Sequence, residues 1–180
     1  MNVKTAILAL VMASLLAAPR SAAGDGDALA ARHESAVARY LANDVVESMR
    51  ALRALAGEGY APSQAYLAEI LDESGENHEA ARLFKLAADQ GNPAGLFGLG
   101  FMHLKGEGVE KDEAKGMALV RQAAEKEYKP ALRVMMLAYR NGLYGLAADE
   151  AQSALWKEKL GEDAAPPVKK NPPGAKPKAR

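Results

Sequence analysis

The sequence contains no cysteine, which removes disulfides, thiolate metal sites and cysteine nucleophiles together. Aromatic residues are scarce at 6%, while 49% of the chain is hydrophobic and much of that is alanine. Alanine fills little volume and is the strongest helix former, so the shortage of bulky side chains argues for helices packed close together. No stretch beyond residue 25 alternates as a half-buried strand does. The pattern predicts an all-α protein.

Long hydrophobic runs are missing as well. The N-terminal run from Ala6 to Ala18 is thirteen residues, short of the roughly 20 that cross a bilayer. Lys4 precedes it and the small residues Ser21, Ala22 and Ala23 follow it, so residues 1–23 read as an export leader cleaved after Ala23, with a retained anchor as the other reading. The expected location is a bacterial periplasm or the secreted fraction, with no stable membrane insertion once the leader is removed.

Charge divides the chain. All 23 acidic residues lie between Asp25 and Asp163 among 16 Lys and Arg, a net charge of −7. The segment from Pro166, "PPVKKNPPGAKPKAR", holds five cations and no acid. It has too little apolar surface to bury a core, so residues 162–180 are expected to form a disordered basic tail with at most weak electrostatic contact to polyanions. The acidic body carries no nucleic-acid footprint, and no nucleic-acid partner is expected.

Self-similarity organises the remainder. "LAGEGYAPSQAYLAEIL" from Leu55, "AADQGNPAGLFGLGFMH" from Ala87 and "AAEKEYKPALRVMMLAY" from Ala123 align at offsets of 32 and 36. In each, a small apolar pair closes one helix and a short turn opens the next. A second helix follows each time, within "ENHEAARLFKLAADQG", "KDEAKGMALVRQAAEKE" and "ADEAQSALWKEKLG". "NDVVESMRALRALAGEG" fits the same second-helix slot, with Asp44 and Glu47 spaced as an N-cap and its N3 partner. Residues 24–43 then hold a degenerate first helix, giving four hairpins of which the outer two are imperfect.

The central unit carries Leu99-Gly100, His103, Gly106-x-Gly108-Val109, Asp112 and Lys115-Gly116, preceded by Ala80-x3-Phe84-x2-Ala87. This pattern resembles the SEL-one-like repeat (SLR) family, a subclass of the tetratricopeptide superfamily, across roughly residues 44–161. The resemblance implies a right-handed α-solenoid and a partner-binding concave face formed by the first helices. Carried over residue by residue, the groove positions are Ala65, Glu69 and Asp72, then Phe97, Phe101 and Leu104, then Arg133, Leu137 and Arg140. Phe97 and Phe101 stand four apart on one helix face, so the implied groove runs from acidic through aromatic to basic, suited to a short peptide or partner helix. The sequence departs from the family at Ala68 and Met136, where the family has glycine, and in the loops "DESGENHEA" and "NGLYGLAAD".

The glycines raise a separate question. A phosphate loop needs its glycines between a strand and a helix, commonly followed by Lys-Ser or Lys-Thr; neither condition is met here. Close helix approach at Gly100 and positive φ at Gly106 and Gly108, with Asp112 as an N-cap, account for them. His33, His78 and His103 lack the i, i+4 spacing of a helical metal pair, and no cofactor or metal is expected. Ser35, Ser48, Ser63, Ser74 and Ser153 lie in no nucleophile motif, so no catalytic residue is assigned. The reading is an exported, non-enzymatic adaptor for an envelope protein or peptide; relatives of this kind often act in signalling or in surface-polysaccharide assembly. The competing class is an envelope hydrolase acting on cell-wall or β-lactam-type substrates.

Overall fold

Proline opens three of the helices, and a left-handed residue closes the helix before each of them. The computed structural model describes residues 22–161, so the leader and tail assignments lie, for all but the last leader residues, outside the described part. Eight helices follow one another there: α1 (Ala22–Leu41), α2 (Val45–Gly57), α3 (Ala61–Glu73), α4 (Asn77–Asp89), α5 (Pro93–Lys105), α6 (Glu113–Glu125), α7 (Lys129–Asn141) and α8 (Glu150–Leu160). No strand occurs among the described residues. Each helix packs on the next, and α3 also touches α5. The result is an α-solenoid of four hairpins.

The joints between hairpins are built alike. At the ends of α2, α4 and α6, the backbone N–H groups of Tyr60, Asn92 and Tyr128 donate to the carbonyls of Leu55, Ala87 and Ala123 at 3.0, 3.0 and 3.1 Å. Gly59, Gly91 and Glu127, one residue earlier, take φ of 87°, 73° and 61° and donate to Ala56, Ala88 and Ala124. These paired bonds satisfy carbonyls the helix would otherwise orphan and turn the chain back sharply. The apolar pair at each helix end therefore supplies both acceptors and a buried joint: Ala87 and Ala123 are both fully buried. Proline then falls in the first turn of α3, α5 and α7, where its missing N–H costs nothing.

The turns inside the hairpins differ more. Gly106 and Gly108 take φ of 78° and 67°, and Asp112 caps α6 by accepting from the Lys115 N–H at 2.9 Å. Asp149 caps α8 in the same way, through the Gln152 N–H at 3.0 Å. The capping box expected at Asp44 and Glu47 does not form. Asp44 makes no side-chain cap, because its backbone leaves the extended region and its carboxylate turns toward Arg39 at 3.5 Å, while Glu47 pairs with Arg50.

One continuous core runs the length of the stack and includes Leu52, Leu71, Leu83, Val120, Leu132 and Met135. Gly100 meets Gly116 inside it. A Cβ on Gly100 would stand 2.9 Å from the Gly116 carbonyl oxygen, and one on Gly116 would stand 2.8 Å from that of Gly100. His103 is buried, its Nδ1 donating to the Glu110 carbonyl at 3.0 Å, and His78 Nδ1 donates to the Gly108 carbonyl at 3.1 Å. Both histidines pin the glycine-bearing loop.

Candidate functional site

The first helices α1, α3, α5 and the start of α7 share one cleft of about 560 Å³. Helix α3 contributes Ala65, Tyr66, Glu69 and Asp72, and α5 contributes Phe97, Phe101 and Lys105. His33 comes from α1, and Tyr128 stands at the N-cap of α7. Repeat geometry aims them together: residues three and four apart on each helix share a face, and the three-residue joints hold successive first helices side by side.

Aromatic rings form the centre. Phe97 lies 4.7 Å from Phe101 and 5.4 Å from Tyr128 between ring centroids, within the range of favourable ring contacts. The ring of Phe84 lies under Gly98, where any side chain would collide with it; this lets the cleft floor approach α4. On the other wall Tyr66 meets His33 and Tyr40 edge-on.

The charge of the cleft is mainly negative. Partial burial, then Glu73 and Asp72, hold the Glu69 carboxyl above the ordinary carboxylate range. Burial, then Glu69, raises the Tyr128 phenol, and burial with Glu69 next does the same to Tyr66. Lys105 is held more firmly protonated, first by its hydrogen bond to Glu107 at 2.9 Å. Burial lowers the proton affinity of His33.

Glu69, Phe97 and Phe101 therefore stand in one cleft, with Ala65 and Asp72 beside them. Leu104 does not: it is 5% exposed and packs at the α5–α6 crossing against Gly116, so the groove position implied for it belongs to the core. Arg133, Leu137 and Arg140 do not line this cleft. At the 36-residue offset, Arg133 and Leu137 correspond to Phe97 and Phe101, one hairpin further along. Arg133 and Arg140 are exposed and Leu137 is half-buried. The sequence reading missed His33, Tyr66, Lys105 and Tyr128. Tyr128 had a signal, because Tyr60 precedes α3 as Tyr128 precedes α7; the other three are brought in only by the stacking.

The structure also brings Ser63 Oγ within 2.9 Å of His33 Nδ1, a serine–histidine contact that no local motif announced. Ser63 is fully buried, so its oxygen has no approach for an electrophile. The bond fastens α1 to α3.

The Sel1 repeat family matches residues 61–92 and 93–128, units of 32 and 36 residues, the same lengths as the repeat offsets. Residues 61–128 are two consecutive Sel1 repeats. In fold it is similar to c5321, a protective antigen present in uropathogenic Escherichia coli strains and displaying an SLR fold. That likeness has a TM-score of 0.64 at 27% identity, covering 76% of this chain and 31% of that one. A Sel1 repeat protein from Oxalobacter formigenes superposes with a TM-score of 0.60 at 19% identity over 67% of this chain and 50% of that one, a likeness of fold. Chitin synthase regulatory factor 3 of Schizosaccharomyces pombe is 30% identical over 88 residues, 49% of this chain and 9% of that protein. The chain thus spans about a tenth of that curated relative and about a third to a half of the two solved chains.

Proposed function

We propose that this protein is an exported, non-enzymatic adaptor that seats an envelope protein or peptide in its concave cleft. The observation that carries the reading is the convergence of Phe97, Phe101, Tyr66 and Tyr128 from three hairpins on one open cleft. Partly buried aromatic rings in a concavity are what partner side chains anchor on, and a surface built by stacking suits an extended or helical segment. Export rests on the leader-like residues 1–23.

Site-specific photocrosslinking tests the seat. A benzoylphenylalanine at Phe101 is expected to trap a discrete envelope protein in cells, while the same probe at the exposed Leu86 of α4 traps none of it. Equal trapping at both positions refutes the cleft as the seat. Residues Arg133 and Arg140 extend the test. If the partner continues along the concave face past the cleft, Arg133→Glu/Arg140→Glu weakens its recovery; if it ends at Tyr128, recovery is unchanged. Turnover of a muropeptide or β-lactam panel by the purified protein would instead establish the hydrolase.

A further inference from the structure

From the walls of the cleft we infer that its occupant presents a cationic side chain, a lysine or arginine on an exposed segment of the partner, with the head group on Glu69 and Asp72 and the stem against Phe97, Phe101 and Tyr128. The inference rests on reading the cleft as the partner's seat and adds the chemistry of what sits there.

Three observations support it. Glu69 and Asp72 are three apart on α3 and both line the cleft, and among the described residues neither has a Lys, Arg or His nitrogen within ion-pairing distance. Lys105, the cation lining the same cleft, is already engaged with Glu107 at 2.9 Å. The rings of Phe97 and Tyr128 lie 5.4 Å apart and are only partly buried, leaving some aromatic surface beside the two carboxylates.

An acidic segment entering here would meet like charge at Glu69 and Asp72, and a neutral one would displace their water for uncharged hydrogen bonds at best. A cation offsets that loss, and an ammonium or guanidinium is also attracted to the face of an aromatic ring within about 6 Å. Rejection of the wrong charge and attraction of the right one then act at the same place. The cleft's volume of about 560 Å³ falls in the usual range for a binding pocket.

The test uses the isotopically labelled full chain and three blocked peptides, alike except for a central arginine, citrulline or glutamate. Citrulline keeps the shape of arginine and lacks its charge. The arginine peptide is expected to move the amide signals of Glu69, Phe97, Phe101 and Tyr128, with the citrulline peptide at least about ten-fold weaker and the glutamate peptide without effect. In Glu69→Gln/Asp72→Asn the arginine advantage should shrink to within about two-fold while citrulline affinity holds; a merely damaged fold would lower both. Equal binding of arginine and citrulline, or shifts confined to the convex helices, overturns the inference. Equal binding inside the cleft would still leave the adaptor reading standing. Arginine selectivity without any crosslinked protein at Phe101 would instead fault the adaptor reading and keep the cationic seat. If substituting Lys169, Lys170, Lys176, Lys178 and Arg180 by Gln moves the same signals in the free protein, the occupant is the chain's own C-terminal segment and the partner assignment falls.

Discussion

The third hairpin crosses at Gly100 and Gly116, whereas the fourth, in the same register, crosses at Met136 and Ser153. In the third, backbone lies directly on backbone. In the fourth, Ser153 Oγ donates to the Met136 carbonyl at 3.0 Å, and the first hairpin repeats that solution with Ser48 Oγ donating to the Ala36 carbonyl at 2.8 Å. The second hairpin places Ala68 and Ala80 there, both fully buried. One geometric requirement, a small second-helix residue under a first-helix carbonyl, is thus met by bare approach at the centre and by a hydroxyl bond at the ends. The family's glycine at this position is one way of meeting it, which is why Ala68 and Met136 do not break the stack.

The sharpest way to break the comparison is to add a side chain at the centre. Gly100→Ala gains up to about 1 kcal/mol of helix propensity, but the methyl group meets Gly116 backbone, which cannot swing aside. A net loss of about 2 kcal/mol in urea denaturation is expected, and Gly100→Leu should abolish the cooperative transition. A stability gain in Gly100→Ala would show that α5 and α6 do not touch there. At the ends, Ser48→Ala and Ser153→Ala should each cost about 1 kcal/mol by the same measurement, because each carbonyl keeps a place in its own helix ladder and none is orphaned.

The joints allow a comparison of the opposite sign. Glu127 holds the left-handed conformation, φ 61°, that Gly59 and Gly91 hold in the earlier joints. Glu127→Gly relieves a penalty of roughly 1–2 kcal/mol and should raise the unfolding midpoint, whereas Gly91→Ala should lower it.

The smallest effect is electrostatic and confined to the cleft. The fold holds the Glu69 proton more tightly than the unfolded chain does, so its contribution to stability is full below about pH 4.3 and is lost as the pH rises through the higher value of the folded state. Glu69→Gln should therefore raise the thermal midpoint slightly at neutral pH and leave it unchanged in acid; a gain that persists in acid would assign the effect to something other than charge.

Much of this was legible in the residues because it is local. The apolar pairs ending α2, α4 and α6, the prolines opening α3, α5 and α7 and the glycine turns depend on contacts a few positions apart, and so does the cap at Asp112. The capping box at Asp44 failed because Arg39, on the preceding helix, competes for the carboxylate. The candidate site was legible in part: Glu69, Phe97 and Phe101 are groove positions that the family resemblance implies, and they line the cleft. His33, Tyr66 and Lys105 enter the cleft only through the packing of α1, α3 and α5.

The repeat period, the helical hairpins and the need for small residues where helices cross were determined by the sequence itself, since each follows from backbone sterics within about one period. Which side chains share the concave cleft was decided by the tertiary structure. That choice depends on the angle at which one hairpin rests on the next, and the angle is the sum of many side-chain contacts between helices far apart along the chain.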